Sequence, residues 1–279
     1  MSRTSPPRVV LLTSPGTYGA IIINSLAEHA GVDLVGIGLT NRVYRNTGLI
    51  GTVRKSVQRM GWRYTAYNAL AANVAWTLLQ LRKGPSGLAT CKQNVRPIND
   101  VNSAETIDWL KEVKPDYVAS FYFNQWIGAE VRDIPRKDCV NVHPSLLPAF
   151  RGPDPIFRAL QRGVTDIGLT IHQVADDFDA GAILHQSPLT IDSKASVFSA
   201  YCECAQRGAR LLGDWLASGD ELTKSDKPAV ESETSETADQ NRQDDYTTFP
   251  TASEVRDFVQ SGGKLIRIRE LRQQLKGIT

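Results

Sequence analysis

Four consecutive apolar residues, Val9 to Leu12, run straight into Ser14-Pro15-Gly16, and helical spacing follows from Ile21 to His29. An apolar run without polar alternation is a strand covered on both faces. "VDLVGIGLTN" repeats the strand signal after that helix. Two strands joined by a crossover helix must lie parallel, so the start of the chain is a βαβ unit. The alternation resumes with a helix in "TIDWLKEVK", a break at Pro115 and a strand at Tyr117 to Phe121. "DCVNVH" and "DIGLTIHQV" supply two more strands. The expectation is a three-layer α/β domain, a mostly parallel sheet with helices on both faces.

Three stretches depart from this rhythm. Residues 48 to 90 carry no strand pattern and read as a helical insert, two helices separated near Gly61. Its first helix and turn cluster Arg54, Lys55, Arg59 and Arg63, whereas no charged residue occurs from Tyr64 to Leu81. Thr65, Asn68, Asn73, Thr77 and Gln80 form a polar set along one side of that second helix, which argues against a membrane span. Packing on its own domain or on a homodimer mate is the preferred reading, with peripheral membrane contact through residues 48 to 84 as the alternative. Residues 226 to 246 are polar, acidic and nearly free of large apolar side chains, as expected of a flexible linker. Residues 247 to 279 recover structure as a small C-terminal appendage. Thr251 or Ser253 caps a short helix, Gly262-Gly263 stops it, and Lys264 to Ile268 suits an edge strand. The catalytic domain should therefore cover residues 1 to 225.

A formal net charge of +2 over 279 residues gives no general pull towards nucleic acid. Cys91, Cys139, Cys202 and Cys204 lack the paired spacing of a zinc site, and reduced thiols in a cytoplasmic protein are the simplest reading. The N-terminus has a short apolar run with no small-residue cleavage site after it, so no signal peptide is expected. The Gly16 turn could hold an anionic group on backbone amides, but it makes no dinucleotide fingerprint and no P-loop.

The chemistry-bearing stretch is "NVHPSLLPAFRGPDP", residues 141 to 155. Alternation along the strand points Asn141 and His143 to one side, so an amide and an imidazole can converge on one atom. Pro144 and Pro148 restrict the turn that follows. One helix and one strand later, "VADDFDAG" crowds Asp176, Asp177 and Asp179 into a loop that Gly181 allows to turn tightly. A carboxylate there could orient His143 and favour its charged form. Three acids could also hold Mg²⁺, but no separate ligand group accompanies them, and no metal is expected. Ser145 lacks a nucleophile elbow and reads best as a cap of the turn. Arg151 could meet an anionic acceptor or face solvent.

Asn141-x-His143-x-Ser145-Leu146-Leu147-Pro148, followed by an aspartate 36 residues after the histidine (179 − 143), resembles the signature of 10-formyltetrahydrofolate-dependent formyltransferases. The resemblance covers roughly Val113 to Ile191 and implies the Rossmann-like formyltransferase fold. It implies that Asn141 and His143 stabilise a formyl oxyanion and that Asp179 polarises the histidine and assists proton transfer. It further implies a folate donor cleft built from Asn124, Gln125, Trp126 and Ile127 and from the loop Val174, Ala175, Asp176 and Asp177, with His172 beside it. For His172 and Trp126, ordinary packing is an equal reading. Ser145, Arg151 and Gly16 stand as candidates for the acceptor side.

Among the activities the resemblance brings, transfer to tRNA conflicts with the acidic linker, because acidic charge repels phosphate. The Gly16 turn resembles the phosphate loop of glycinamide ribonucleotide enzymes only loosely, and no regulatory domain of a formyltetrahydrofolate hydrolase precedes Arg8. The expectation is N-formylation of a small-molecule amine, an amino sugar nucleotide or an amino-acid-derived metabolite, without nucleic acid. The insert is the expected acceptor-specific element, and hydrolysis of the donor is the competing activity.

Overall fold

The computed structural model describes residues 5–40, 49–71, 94–218 and 246–271. Seven strands form one sheet in the order β3-β2-β1-β4-β5-β6-β7. They are β1 (Arg8–Thr13), β2 (Asp33–Leu39), β3 (Asn94–Pro97), β4 (Tyr117–Phe121), β5 (Asp138–His143), β6 (Leu169–Gln173) and β7 (Ile183–Ser187). The first five run parallel, and β6 and β7 are antiparallel additions at one edge. The apolar run of β1 explains its central place, since Val9 to Leu12 are fully buried between two helical layers.

One layer consists of α1 (Thr17–Ala27) and the later part of α6 (Val197–Ser218). It packs Ile22, Ile23, Leu212 and Trp215 on Val9, Leu11, Phe121 and Val142. The opposite layer consists of α3 (Ala104–Val113) and the one-turn α4 (Ala129–Arg132), with Trp109 and Leu110 against Val10, Leu12 and Val118. Ser103 caps α3 by accepting from the Thr106 N–H, as a serine before an apolar-periodic run should.

A third cluster lies beyond the carboxyl ends of the strands. It joins α2 (Leu49–Ala69), α5 (Pro155–Gln161), the start of α6 and α7 (Ala252–Gln260). As expected, α2 breaks at Gly61, whose φ of 78° is left-handed. Met60, Tyr64, Tyr67 and Ala71 are buried in this cluster, so the described half of the insert packs on its own domain. The remainder of the insert, the linker reading except Tyr246, and Cys91 lie outside the described residues. No described helix is long and apolar enough to cross a membrane.

The C-terminal segment differs from expectation in one respect. Thr251 does cap α7, in a capping box with Glu254, but Lys264 to Ile268 form no strand. Their backbone instead finishes a helix: the N–H groups of Val197 and Phe198 donate to the carbonyls of Lys264 and Leu265, 2.9 Å each. The first amides of a helix need acceptors from elsewhere, and that demand outweighs a weak edge-strand pattern. The segment is therefore part of the domain core, with Val255 and Phe258 buried against α2 and α5.

Candidate active site

The strand order reverses direction between β1 and β4, and in open α/β sheets the ligand crevice opens at that point, outside the carboxyl ends of the strands. Register places Ser120, Asn141 and His172 side by side on β4, β5 and β6. The serine hydroxyl donates to Asn141 Oδ1 at 2.8 Å. His172 Nδ1 lies 2.8 Å from its acceptor, the Gln173 carbonyl, which fixes the proton on Nδ1. Its Nε2 is then a lone pair that receives Asn141 Nδ2–H at 3.0 Å. The amide is thus locked at both ends, and its second N–H remains for a ligand.

His143 is buried and is also held at both nitrogens. Nε2 donates to the Phe150 carbonyl at 2.9 Å, and Nδ1 faces Asp179 Oδ1 at 3.4 Å. Asp179 takes a left-handed φ of 51°, which aspartate tolerates better than most residues. That conformation brings Oδ2 to the Gly152 N–H at 2.9 Å and Oδ1 to within 3.6 Å of His172 Nε2. Burial opposes ionisation of Asp179. Hydrogen bonding from His143, the His143 charge and the Gly152 amide outweigh it and hold the carboxyl well below the usual carboxylate range. Gly181 is required just after this loop, because a Cβ there would lie 1.8 Å from the Gln173 carbonyl oxygen.

Two openings meet at this centre. On one side, a cleft of about 70 Å³ is lined by Gln125, Trp126, Ile127, Val174, Ala175 and Asp177, with Asn141, His172 and Asp179 at its end. That is room for about two waters and no bicyclic ring. A clasp closes it: Trp126 Nε1 donates to the Asp176 carbonyl at 2.9 Å, and Arg132 meets the Asp176 carboxylate at 2.5 Å. Trp126 and Phe178 are half exposed beside it. Gln125 spends its side chain on the Val101 amide and on Thr40 Oγ1, both at 2.7 Å, bracing the segment.

On the other side lies a chamber of about 430 Å³, with Asn141, His143 and Asp179 in its wall. Tyr18, Tyr67, Tyr122, Tyr201, Tyr246 and Asp154 make up much of the rest. Tyr67 and Asn68 come from the insert. Tyr246 and Phe249 come from a strap that pairs with the Arg151 segment, where the Thr247 amide and hydroxyl both donate to the Arg151 carbonyl, at 2.7 and 2.8 Å. Gly152 must be glycine there, since its φ is 93° and a Cβ would meet the Thr247 carbonyl oxygen at 2.3 Å. The non-glycine residues with positive φ are concentrated around this site: Tyr122, Phe150, Asp154 and Asp179, with only Lys114 elsewhere among the described residues.

The structure therefore brings Asn141, His143 and Asp179 together with His172, and sets Gln125 to Ile127 opposite Val174 to Asp177 across one cleft. Asn124 is on the other side, in the chamber wall. Ser145 is buried and donates to the Ala149 carbonyl at 2.6 Å, closing its own turn. Arg151 donates to the Phe178 carbonyl at 2.9 Å and so ties the Asp-rich loop to the strap. Gly16 caps α1 with its carbonyl accepting from Ala20. Ser145, Arg151 and Gly16 line neither opening. Sequence reasoning passed over Asp154 and the tyrosines, which lie far apart in the chain. Their one local signal was an aspartate within "RGPDP" and a tyrosine at the end of the acidic stretch.

Comparisons with known proteins agree with this geometry. Residues 74–215 match a family model described as formyl transferase. The methionyl-tRNA formyltransferase of Thermotoga maritima is 37% identical over 92 residues, which is 33% of this chain and 29% of that protein. The methionyl-tRNA formyltransferase of Ehrlichia ruminantium (strain Welgevonden) is 32% identical over 174 residues, 59% of this chain and 56% of that protein. Neither match reaches two thirds of the relative's length. The crystal structure of phosphoribosylglycinamide formyltransferase from Bacillus halodurans shares the fold, with a TM-score of 0.50 at 20% identity over 80% of this chain and all of that one. With its family model matched across half of the sequence and its sheet shared with a solved formyltransferase, the chain belongs to the formyl transferase family.

Proposed function

We propose that the protein transfers a formyl group from 10-formyltetrahydrofolate to the primary amine of a small molecule, the donor entering by the Trp126 cleft and the acceptor by the tyrosine chamber. The single observation that carries this reading is the position of Asn141 and Asp179 in the common wall of two openings, with His143 beside Asp179 in the wall of the chamber. Two substrates approaching from opposite sides would meet at a locked amide N–H and an imidazole.

The amine nitrogen attacks the formyl carbon, a new N–C bond forms, and the carbonyl pair moves to oxygen. Asn141 Nδ2–H receives that oxyanion, and His143 shares it by turning Nε2–H from the Phe150 carbonyl to the new oxygen. A preorganised donor of this kind is commonly worth about 3 to 4 kcal/mol. The ammonium proton then passes, with Asp179 and His143 holding its path, to the leaving folate nitrogen, whose bond to the formyl carbon breaks as the carbonyl re-forms. No enzyme nucleophile is needed, because the acceptor itself attacks. Flat apolar walls at Trp126, Ile127 and Val174 and backbone groups of the 174–179 loop suit a pterin, once the Trp126–Asp176 clasp opens.

The test is absorbance-monitored conversion of 10-formyltetrahydrofolate to tetrahydrofolate with a panel of amines and a no-amine control. Turnover that requires one class of amine supports transfer. Equal turnover without amine would assign hydrolysis instead, and absence of both turnover and donor binding would end the reading.

A further inference from the structure

The acceptor chamber has a chemical bias that formyl transfer alone does not require. Tyr18, Tyr122 and Tyr201 pack around one another with ring centroids 5.2 to 5.4 Å apart, and the Tyr18 and Tyr67 hydroxyls meet at 2.8 Å. Aromatic faces attract cations, most strongly where water is excluded. Within the same wall stands Asp154, whose oxygens accept from Tyr64 at 2.5 Å and from Tyr201 at 2.6 Å. Among the described residues, no lysine or arginine lines the chamber. Arg158, one turn after Asp154, is directed instead to Glu254, Gln161 and the Thr248 carbonyl. Arg59 lies over the Phe249 ring and is not part of the lining.

Asp154 is short of positive charge. Burial pushes its carboxyl above the ordinary range, although hydrogen bonds from Tyr201 and Tyr64 and the Arg158 charge pull the other way. The tyrosines give no compensation, since burial, with further repulsion from Asp154 at Tyr64 and Tyr201, holds their hydroxyls protonated. The Tyr122 hydroxyl is buried with no partner among the described residues, and Tyr122 itself is held at a left-handed φ of 54°. An unpaired buried hydroxyl is destabilising unless a ligand completes it. A phosphate group would meet a carboxylate and π faces here, both repulsive to it. A second ammonium or amidinium group would meet a carboxylate, a ring of π faces and an unused hydroxyl acceptor.

We propose that the chamber selects a diamine-type acceptor, one primary amine that reacts as the free base at Asn141 and His143 and a second, cationic nitrogen held at Asp154 within the tyrosine cage. This deepens the formyl-transfer reading and rests on it for the role of the first amine. The preference for charge is testable without any donor.

The experiment is calorimetric titration of the full chain with 1,4-diaminobutane, 1-aminobutane and inorganic pyrophosphate, repeated on Asp154→Asn and Tyr64→Phe. The expected result is that the diamine binds about tenfold or more tighter than the monoamine and that pyrophosphate does not bind. Asp154→Asn, which keeps the volume and still hydrogen bonds to both tyrosines, should abolish that preference. Tyr64→Phe removes one bond of the clasp between α2 and α5 but leaves the carboxylate, and should keep the preference. If Asp154 served only to fasten the insert, the two variants would weaken binding alike, and the proposal would fall. It also falls if diamine and monoamine bind equally, if neither binds, or if pyrophosphate binds tighter than the diamine. A clear diamine preference without formyl transfer in the donor assay would overturn the transferase reading and leave the charge preference standing; the reverse result would do the opposite.

Discussion

The two sides of the catalytic wall are built from different kinds of sequence. The donor side comes from two short segments, 125–127 after β4 and 174–177 after β6, which face each other across the end of β5. The acceptor side is assembled from five places in the chain, with Tyr18 from α1, Tyr67 from the insert, Tyr122 after β4, Asp154 and Tyr201 from the α5–α6 region, and Tyr246 from the strap. The boundary between the two sides is the Ser120–Asn141–His172 row with His143 and Asp179, which both must share.

Breaking that boundary should give the largest effect. Asn141→Ala removes an oxyanion donor and should lower kcat by about 10² to 10³, with donor binding little changed. Steady-state donor conversion beside donor titration separates the two.

Asp179→Asn should follow, lowering kcat by roughly 10² or more, because the carboxylate that faces His143 and is proposed to assist proton transfer is lost. Its stability signature has a definite sign. The folded carboxyl lies below its unfolded value, so the stabilisation is fully present above the ordinary carboxylate range near 4 and is lost as pH falls below it. Thermal unfolding of wild type and variant should therefore differ at neutral pH and converge in strong acid.

His172 sharpens the boundary, since it touches Asn141 rather than presenting its own chemistry. His172→Phe frees the amide to rotate and should reduce kcat about tenfold without shifting the acceptor KM. His172→Gln, which offers Asn141 a new acceptor, should recover part of the loss. A merely structural role would give no such rescue.

The smallest effect should fall on one side only. Tyr246→Ala opens the strap and should raise the acceptor KM by roughly threefold to tenfold, the loss of one aromatic contact, while donor binding stays unchanged. Donor binding that weakens as much as acceptor binding would erase the proposed division.

The same division explains what the sequence disclosed. The strands were legible at β1 as a continuous apolar run and at β2, β4, β5 and β6 as short apolar-rich or alternating stretches bounded by turn residues. The common side of Asn141 and His143 was legible because they are two apart on one strand. β3 and β7 were passed over: "NVRP" is only four residues long, and "ILHQS" alternates weakly at a half-exposed edge. His172 was read as lying beside the donor cleft or as ordinary packing; it lines that cleft and, through register across β5 and β6, also holds Asn141. Nothing local in Tyr18, Tyr122 or Tyr246 announces that three rings from distant segments share one cavity. Their convergence is a property of the topology, and only the folded chain displays it.

The most direct test of the account follows the carbon itself. With ¹³C-formyl donor and an amine that supports turnover, mass spectrometry should find the label in the N-formyl amine, little in free formate, and both nearly abolished in Asn141→Ala. Label released as formate irrespective of amine, or undiminished transfer by Asn141→Ala, would contradict the claim that two substrates meet at this wall.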